Sequence, residues 1–119
     1  DGMGMQLLQK SGIKVGILTS EDKQLNRRRS KKLNLDFDFH GAIDKLQIVK
    51  DLCKSENITL NEVVYIGDDV NCFELLSNVG IAACPENAMK KIKSIPNIIQ
   101  LTKSGGEGAV RELVELILS

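Results

Sequence analysis

Short apolar runs that each end in a polar or glycine-bearing cluster, with stretches of helical spacing between them, set what this chain can fold into. Ile13-Lys14-Val15-Gly16-Ile17-Leu18 stops at Thr19-Ser20-Glu21-Asp22, and Val63-Val64-Tyr65-Ile66 runs into Gly67-Asp68-Asp69. Between them Ile43, Leu46, Val49, Leu52 and Cys53 repeat at the spacing of one helix face. Other strands are predicted at 37–39, 79–83 and 97–101. Other helices are predicted around Met5 to Leu8 (ended by Ser11-Gly12), over 22–33, through Phe73 to Leu76, near 88–92 behind Pro85, and over 110–118. Strands alternating with helices of this length predict βαβ units and an α/β fold whose parallel sheet is covered on both faces.

The chain has 119 residues, room for a single domain spanning 1–119 with one core. Its 16 basic and 16 acidic residues cancel, which argues against a dedicated nucleic-acid binder. No apolar run approaches the ~20 residues that cross a bilayer, so no membrane partner is expected. Three cysteines without CxxC or CxxH spacing suggest neither a disulfide framework nor a zinc site. A reduced, cytoplasmic setting follows as the expectation.

In open parallel sheets ligands bind at the carboxyl ends of the strands. There Gly67 lets the chain turn, and Asp68 and Asp69 emerge together. Paired carboxylates at such a place suit a hard divalent cation such as Mg2+, which takes oxygen ligands and a substrate phosphate. The plainer reading is that they cap the next helix, but capping needs only one aspartate. Thr19, at the other strand end, is either a turn residue or a phosphate grip. Lys45 opens a helix, where the dipole disfavours a cation, so its placement points to a neighbouring anion. In the run Arg27-Arg28-Arg29 with Lys31-Lys32, helical geometry forbids all five side chains from facing one way. A solvated face with one or two recruited residues is the expectation. His40 has no obvious partner in the sequence and reads as structural, as do Cys72 and the methionines.

Together these segments resemble the haloacid dehalogenase-like phosphatases. Within them the chain is similar to the capless sugar-acid branch that includes the 3-deoxy-D-manno-octulosonate 8-phosphate and 2-keto-3-deoxynononate 9-phosphate phosphatases. A homologous module forms the C-terminal part of some acylneuraminate cytidylyltransferases. The resemblance is carried by Asp1-Gly2-Met3-Gly4-Met5, Gly16-Ile17-Leu18-Thr19, Arg27-Arg28-Arg29, Gly41 to Leu46, Tyr65 to Asp69 and Gly105 to Glu112. It implies a three-layer Rossmann-like fold, Mg2+ as cofactor, and a homotetramer in which the glycine-rich tail helps close a neighbour's site. It also implies that Thr19 bonds the transferring phosphate and Lys45 steadies its charge. Asp68 becomes the metal ligand with Asp69 beside it, and Glu21, Arg29 and Lys32 read the sugar acid.

Cys72 stands where the family pattern has an aspartate, and the family's first motif, two aspartates on a central strand, is not among these residues. That strand is expected between the ones ending at Leu18 and Ile66. Its loss would strand backbone groups at ~1–3 kcal/mol each, against a whole-domain stability of ~5–15 kcal/mol. Either a segment preceding Asp1 supplies it, or another chain does, or the fold is a different one, and the first is expected. The function expected of the intact chain is Mg2+-dependent hydrolysis of a sugar-acid phosphate through an aspartyl-phosphate, placing it in sialic-acid or octulosonate biosynthesis. The alternative is a non-catalytic oligomerisation module of an acylneuraminate cytidylyltransferase. A receiver- or flavodoxin-like binding domain ranks last, because the lysine here precedes the aspartate pair.

Overall fold

A computed structural model of the protein describes residues 2–119, and Asp1, with which the resemblance begins, lies outside them. In chain order the elements are α1 (Gly2–Lys10), β1 (Gly16–Leu18), α2 (Gln24–Leu33), β2 (Phe37–Phe39), α3 (Lys45–Glu56), β3 (Val64–Ile66), α4 (Phe73–Leu76), β4 (Ile81–Cys84), α5 (Lys90–Lys93), β5 (Ile99–Gln100) and α6 (Ala109–Leu118). Tight 3-10 turns cover Leu60–Glu62 and Val70–Cys72. Every strand pair is parallel, as the alternation of strands and helices requires. The strands form two sheets, and the chain packs as two compact units: one runs to Ile43 and includes Val114–Ser119, the other is Asp44–Leu113.

In the first unit β1 pairs with β2, setting Gly16 opposite Phe37, Ile17 opposite Asp38 and Leu18 opposite Phe39. A Cβ at Gly16 would lie 2.6 Å from that of Phe37, so only glycine admits this approach. β1 is shorter than the apolar run 13–18 because the Val15 N–H donates to the Asp36 carboxylate (2.8 Å) and leaves the ladder. Hydrogen bonds to Val15 and Gln9 hold the Asp36 carboxyl below its usual range. The other edge of β1 has no strand partner among the described residues. Leu8, Ala42 and Val114 are this unit's buried apolar side chains.

The second unit has β4 between β3 and β5. Val64, Tyr65 and Ile66 face Ile81, Ala82 and Ala83, and Ala83 and Cys84 face Ile99 and Gln100. Cys72, Leu76, Ala82, Cys84, Ala88, Ile92 and Ile95 pack into its core, with Tyr65, Phe73, Val79 and Ile98 against them. Full burial of a leucine or isoleucine is worth about 1.5–3 kcal/mol, and Leu76 and Ile92 are at 2% and 0% exposure. Three predicted boundaries move for local reasons. β4 starts at Ile81 because the Gly80 N–H is taken by the Leu60 carbonyl (2.9 Å). β5 starts at Ile99 because Asn97 adopts a left-handed φ of 66°. Pro85 closes a turn, accepting the Ala88 N–H (3.1 Å), and α5 opens only at Lys90. β3, like β1, has no strand on its second edge among the described residues.

Candidate active site

In the second unit Gly67 continues the β3 ladder by donating its N–H to Ala83 (3.1 Å). A Cβ there would sit 2.8 Å from the Cys72 Cβ and 2.9 Å from its sulfur, so the glycine is what lets the chain pass Cys72. The two aspartates that follow separate at once. Asp69 caps the 3-10 turn, its carboxylate accepting the Val70 N–H at 2.6 Å. Asp68 is exposed, and its carboxylate has no hydrogen bond or ion pair among the described residues. Its backbone carbonyl takes the Met89 N–H (3.1 Å). Capping thus uses one aspartate and leaves the carboxylate of the other uncommitted among the described residues.

Lys45 is the first residue of α3, whose N-terminus is capped by Asp44 accepting the Gln47 N–H (3.1 Å). The lysine is 7% exposed. Its ammonium donates to the Asn71 side-chain oxygen (3.4 Å) and to the Cys72 sulfur (3.5 Å), with no carboxylate in ion-pair range among the described residues. A buried ammonium served only by neutral groups is costly until an anion meets it. The Tyr65 hydroxyl lies 3.6 Å from the same sulfur, and burial pushes its phenol far above the ordinary range, so it stays neutral. Cys72, read from the sequence as a packing residue, is therefore also the point where Lys45, Tyr65 and Asn71 converge. The family's habitual aspartate at that place was the one sequence signal for it.

In the first unit Thr19 follows β1, donating its N–H to Phe39 (3.0 Å) and accepting the Ala42 N–H at its carbonyl (2.9 Å). Its hydroxyl accepts the Glu21 N–H (3.1 Å), which makes it a turn residue with an O–H still free to donate. Glu21 is paired with Lys23 at 2.8 Å, and that hydrogen bond holds its carboxyl below the usual range. Arg27 is bonded to Asp22. Arg29 and Lys32 are exposed and have no partner among the described residues. A cavity of about 240 Å³ is lined by Thr19, Asn26, Arg29, Ser30 and His40, with Ile17 and Leu33 as its apolar wall. Thr19 and Arg29 thus share one cavity, whereas Glu21 and Lys32 do not line it.

His40, read from the sequence as structural and without an obvious partner, is not without partners. It has two partners: Asp38, with Nε2 2.6 Å from Oδ1, and Ser30, with Oγ 3.1 Å from Nε2. The only sequence signal was the two-residue spacing of Asp38 and His40, which puts both on one strand face. Among the described residues no cluster of three or more histidines, cysteines and acids is placed to hold a metal. No helix among them is long and apolar enough to cross a membrane.

The profile of the haloacid dehalogenase-like hydrolases matches residues 16–113. The chain belongs to that family. The 3-deoxy-D-manno-octulosonate 8-phosphate phosphatase of Haemophilus influenzae is 30% identical over 118 residues, covering 99% of this chain and 65% of that protein. Its Escherichia coli K12 counterpart is 31% identical over 119 residues, covering 99% and 62%. The chain therefore spans less than two thirds of the length of these relatives. The solved cobalt-bound Haemophilus phosphatase superposes with a TM-score of 0.92 at 30% identity, covering 98% of this chain and 68% of that one. The Moraxella catarrhalis phosphatase, solved with magnesium, phosphate and 3-deoxy-D-manno-octulosonate, gives 0.92 at 35% identity, covering 98% and 67%.

Proposed function

We propose that the intact protein is a Mg2+-dependent phosphatase acting on a sugar-acid phosphate of the octulosonate 8-phosphate or nononate 9-phosphate type. The observation that carries this is Lys45, a buried ammonium without a carboxylate partner among the described residues, touching Asn71 just after Gly67-Asp68-Asp69. An arriving phosphate is the anion that such a group lacks. The donor set fits Mg2+, which is held by one or two carboxylates plus a substrate phosphate. Asp68 would hold it, its carboxylate being exposed and uncommitted, and the metal would supply charge neutralisation at the phosphate. Lys45 adds a fixed positive charge, and the Thr19 hydroxyl donates to a phosphate oxygen. The nucleophile would be an aspartate of the intact protein, forming an aspartyl-phosphate that water then cleaves. Arg29, with its planar fork free, would take the sugar carboxylate, while Glu21 and Lys32 would read other parts of the sugar acid. A cytoplasmic homotetramer belongs to the same reading.

Phosphate release from 3-deoxy-D-manno-octulosonate 8-phosphate by the full-length protein is the test. Turnover stops on chelation of Mg2+ and falls at least about 100-fold in Asp68→Ala, the loss of a principal charge-stabilising group. Turnover that survives both sinks the assignment. The second reading, a non-catalytic oligomerisation module attached to a cytidylyltransferase, draws on Cys72, a thiol where the family keeps a carboxylate. It requires a persistent tetramer without Mg2+-dependent turnover.

A further inference from the structure

α2 is docked by a hydroxyl where an amphipathic helix ordinarily uses an apolar stripe. Ser30 is its one buried residue, at 3% exposure, while Leu25 is 57% exposed. The Ser30 Oγ lies 3.1 Å from Asp38 Oδ2 and 3.1 Å from His40 Nε2, and that nitrogen lies 2.6 Å from Asp38 Oδ1. This is no nucleophile relay. A relay sets the carboxylate on one ring nitrogen and the hydroxyl on the other, whereas here both approach Nε2. The hydroxyl is also within reach of the Asn26 and Arg27 carbonyls, at 3.0 and 3.2 Å. With Nε2–H donating to Asp38, the serine hydrogen serves either Asp38 or its own helix, tying α2 to the end of β2. Hydrogen bonds to a charged carboxylate are short and directional, so they set a position where an apolar contact would let the helix slide.

The arrangement carries a cost that packing alone does not explain. The His40 side chain is 2% exposed, and its Nδ1 is buried with no partner among the described residues. An unsatisfied buried polar atom costs stability, a cost that an apolar side chain would avoid. Both Ser30 and His40 wall the cavity that Thr19, Asn26 and Arg29 line. Arg29 is the chain neighbour of Ser30, so the hydroxyl that anchors the helix also sets where the guanidinium starts.

We propose that Ser30, Asp38 and His40 are positioning residues that hold α2 so that Arg29 meets the carboxylate of an acidic sugar at this cavity. The proposal rests on the reading of Arg29 as the carboxylate partner. Its test uses the full-length protein with Mg2+. Calorimetry measures affinity for free 3-deoxy-D-manno-octulosonate, and kinetics compare its 8-phosphate with p-nitrophenyl phosphate, which has no carboxylate. His40→Leu weakens sugar-acid binding and raises KM for the sugar phosphate by about 10-fold, the scale of one lost charged hydrogen bond. Its kcat changes less than about twofold, and so does KM for the aromatic phosphate. His40→Gln, which keeps an N–H donor toward Asp38, recovers affinity to within about threefold. Equal losses on both substrates, no loss on either, or a wild type that binds no sugar acid overturns the proposal. If thermal melting shows His40→Leu unfolded, Ser30→Ala takes its place in the same comparison, with the same results supporting or overturning the proposal. A wild type that binds the sugar acid but releases no phosphate overturns the phosphatase reading alone, and calorimetry then still decides the positioning proposal.

Discussion

Asp68 and Asp69 are adjacent in sequence, yet one closes a turn through the Val70 N–H and the other is left uncommitted in solvent. Their place at the end of β3 was legible from the run Tyr65 to Asp69, where an apolar strand runs into a glycine; their separation was not. The contact between Lys45 and Cys72 was not legible, since it joins side chains 27 residues apart through tertiary packing. It yields a prediction at this scale. An aspartate in place of Cys72 would stand about where the thiol now receives the Lys45 ammonium, 3.5 Å away, turning a neutral contact into an ion pair beside the Asp68–Asp69 loop. Supporting groups of this kind change metal affinity by about 10–100-fold. Cys72→Asp therefore lowers the Mg2+ concentration for half-maximal phosphate release by about 10-fold. A Mg2+ titration showing no change, in a variant that melts like the wild type, contradicts the supporting role.

Element by element, the sequence pattern located each strand and helix but misjudged several ends, twice for the same reason. The backbone at the margin of an apolar run bonds to something outside the ladder: Val15 to the Asp36 carboxylate, Gly80 to the Leu60 carbonyl. The docking of α2 was invisible for a related reason, because a serine inside a basic helix gives no periodic signal. The start of α6 shows how a side chain can govern backbone at a distance. Glu112 accepts the N–H groups of Thr102 (3.0 Å) and Lys103 (2.9 Å) and the Thr102 hydroxyl (3.1 Å). The Thr102 backbone bond, above all, holds the Glu112 carboxyl below the usual glutamate range. The folded-state value is depressed, so the unfolded chain takes the proton first. The clamp's stabilisation is therefore complete above the ordinary glutamate value of about 4.3 and is lost as pH falls through the folded value. Thermal melts should place Glu112→Gln below the wild type at pH 7, with the gap narrowing steadily at pH below about 4. A gap that stays constant on acidification would show that the carboxylate's charge is not what holds the Thr102–Lys103 segment.

Across the molecule the apolar burial is uneven. The second unit gathers Leu75, Leu76, Ala83, Cys84 and Ile92 at 2% exposure or less, around a strand paired on both sides. The first unit has a two-stranded sheet whose β1 and β2 residues are only half-buried or exposed, and it relies on polar ties such as Ser30–Asp38–His40 and Asp36–Val15. Local stability follows buried apolar contact and doubly paired strands, so the units should open separately. Composition alone did not foretell this, because the apolar fraction counts residues and not how their faces are covered. Native-state hydrogen exchange on the full-length protein should find the β4 amides of Ala82 to Cys84 the slowest of these strands. The amides of β1 and β2 should exchange at least about 10-fold faster, a difference of about 1.4 kcal/mol in opening free energy. Equal protection in both sheets would mean that the chain opens as one cooperative body. If so, Ile92→Ala, which removes a fully buried side chain at about 2–5 kcal/mol, would loosen β1 as much as β4. Separate opening predicts instead that this substitution speeds exchange in β3, β4 and β5 and leaves β1 and β2 unchanged.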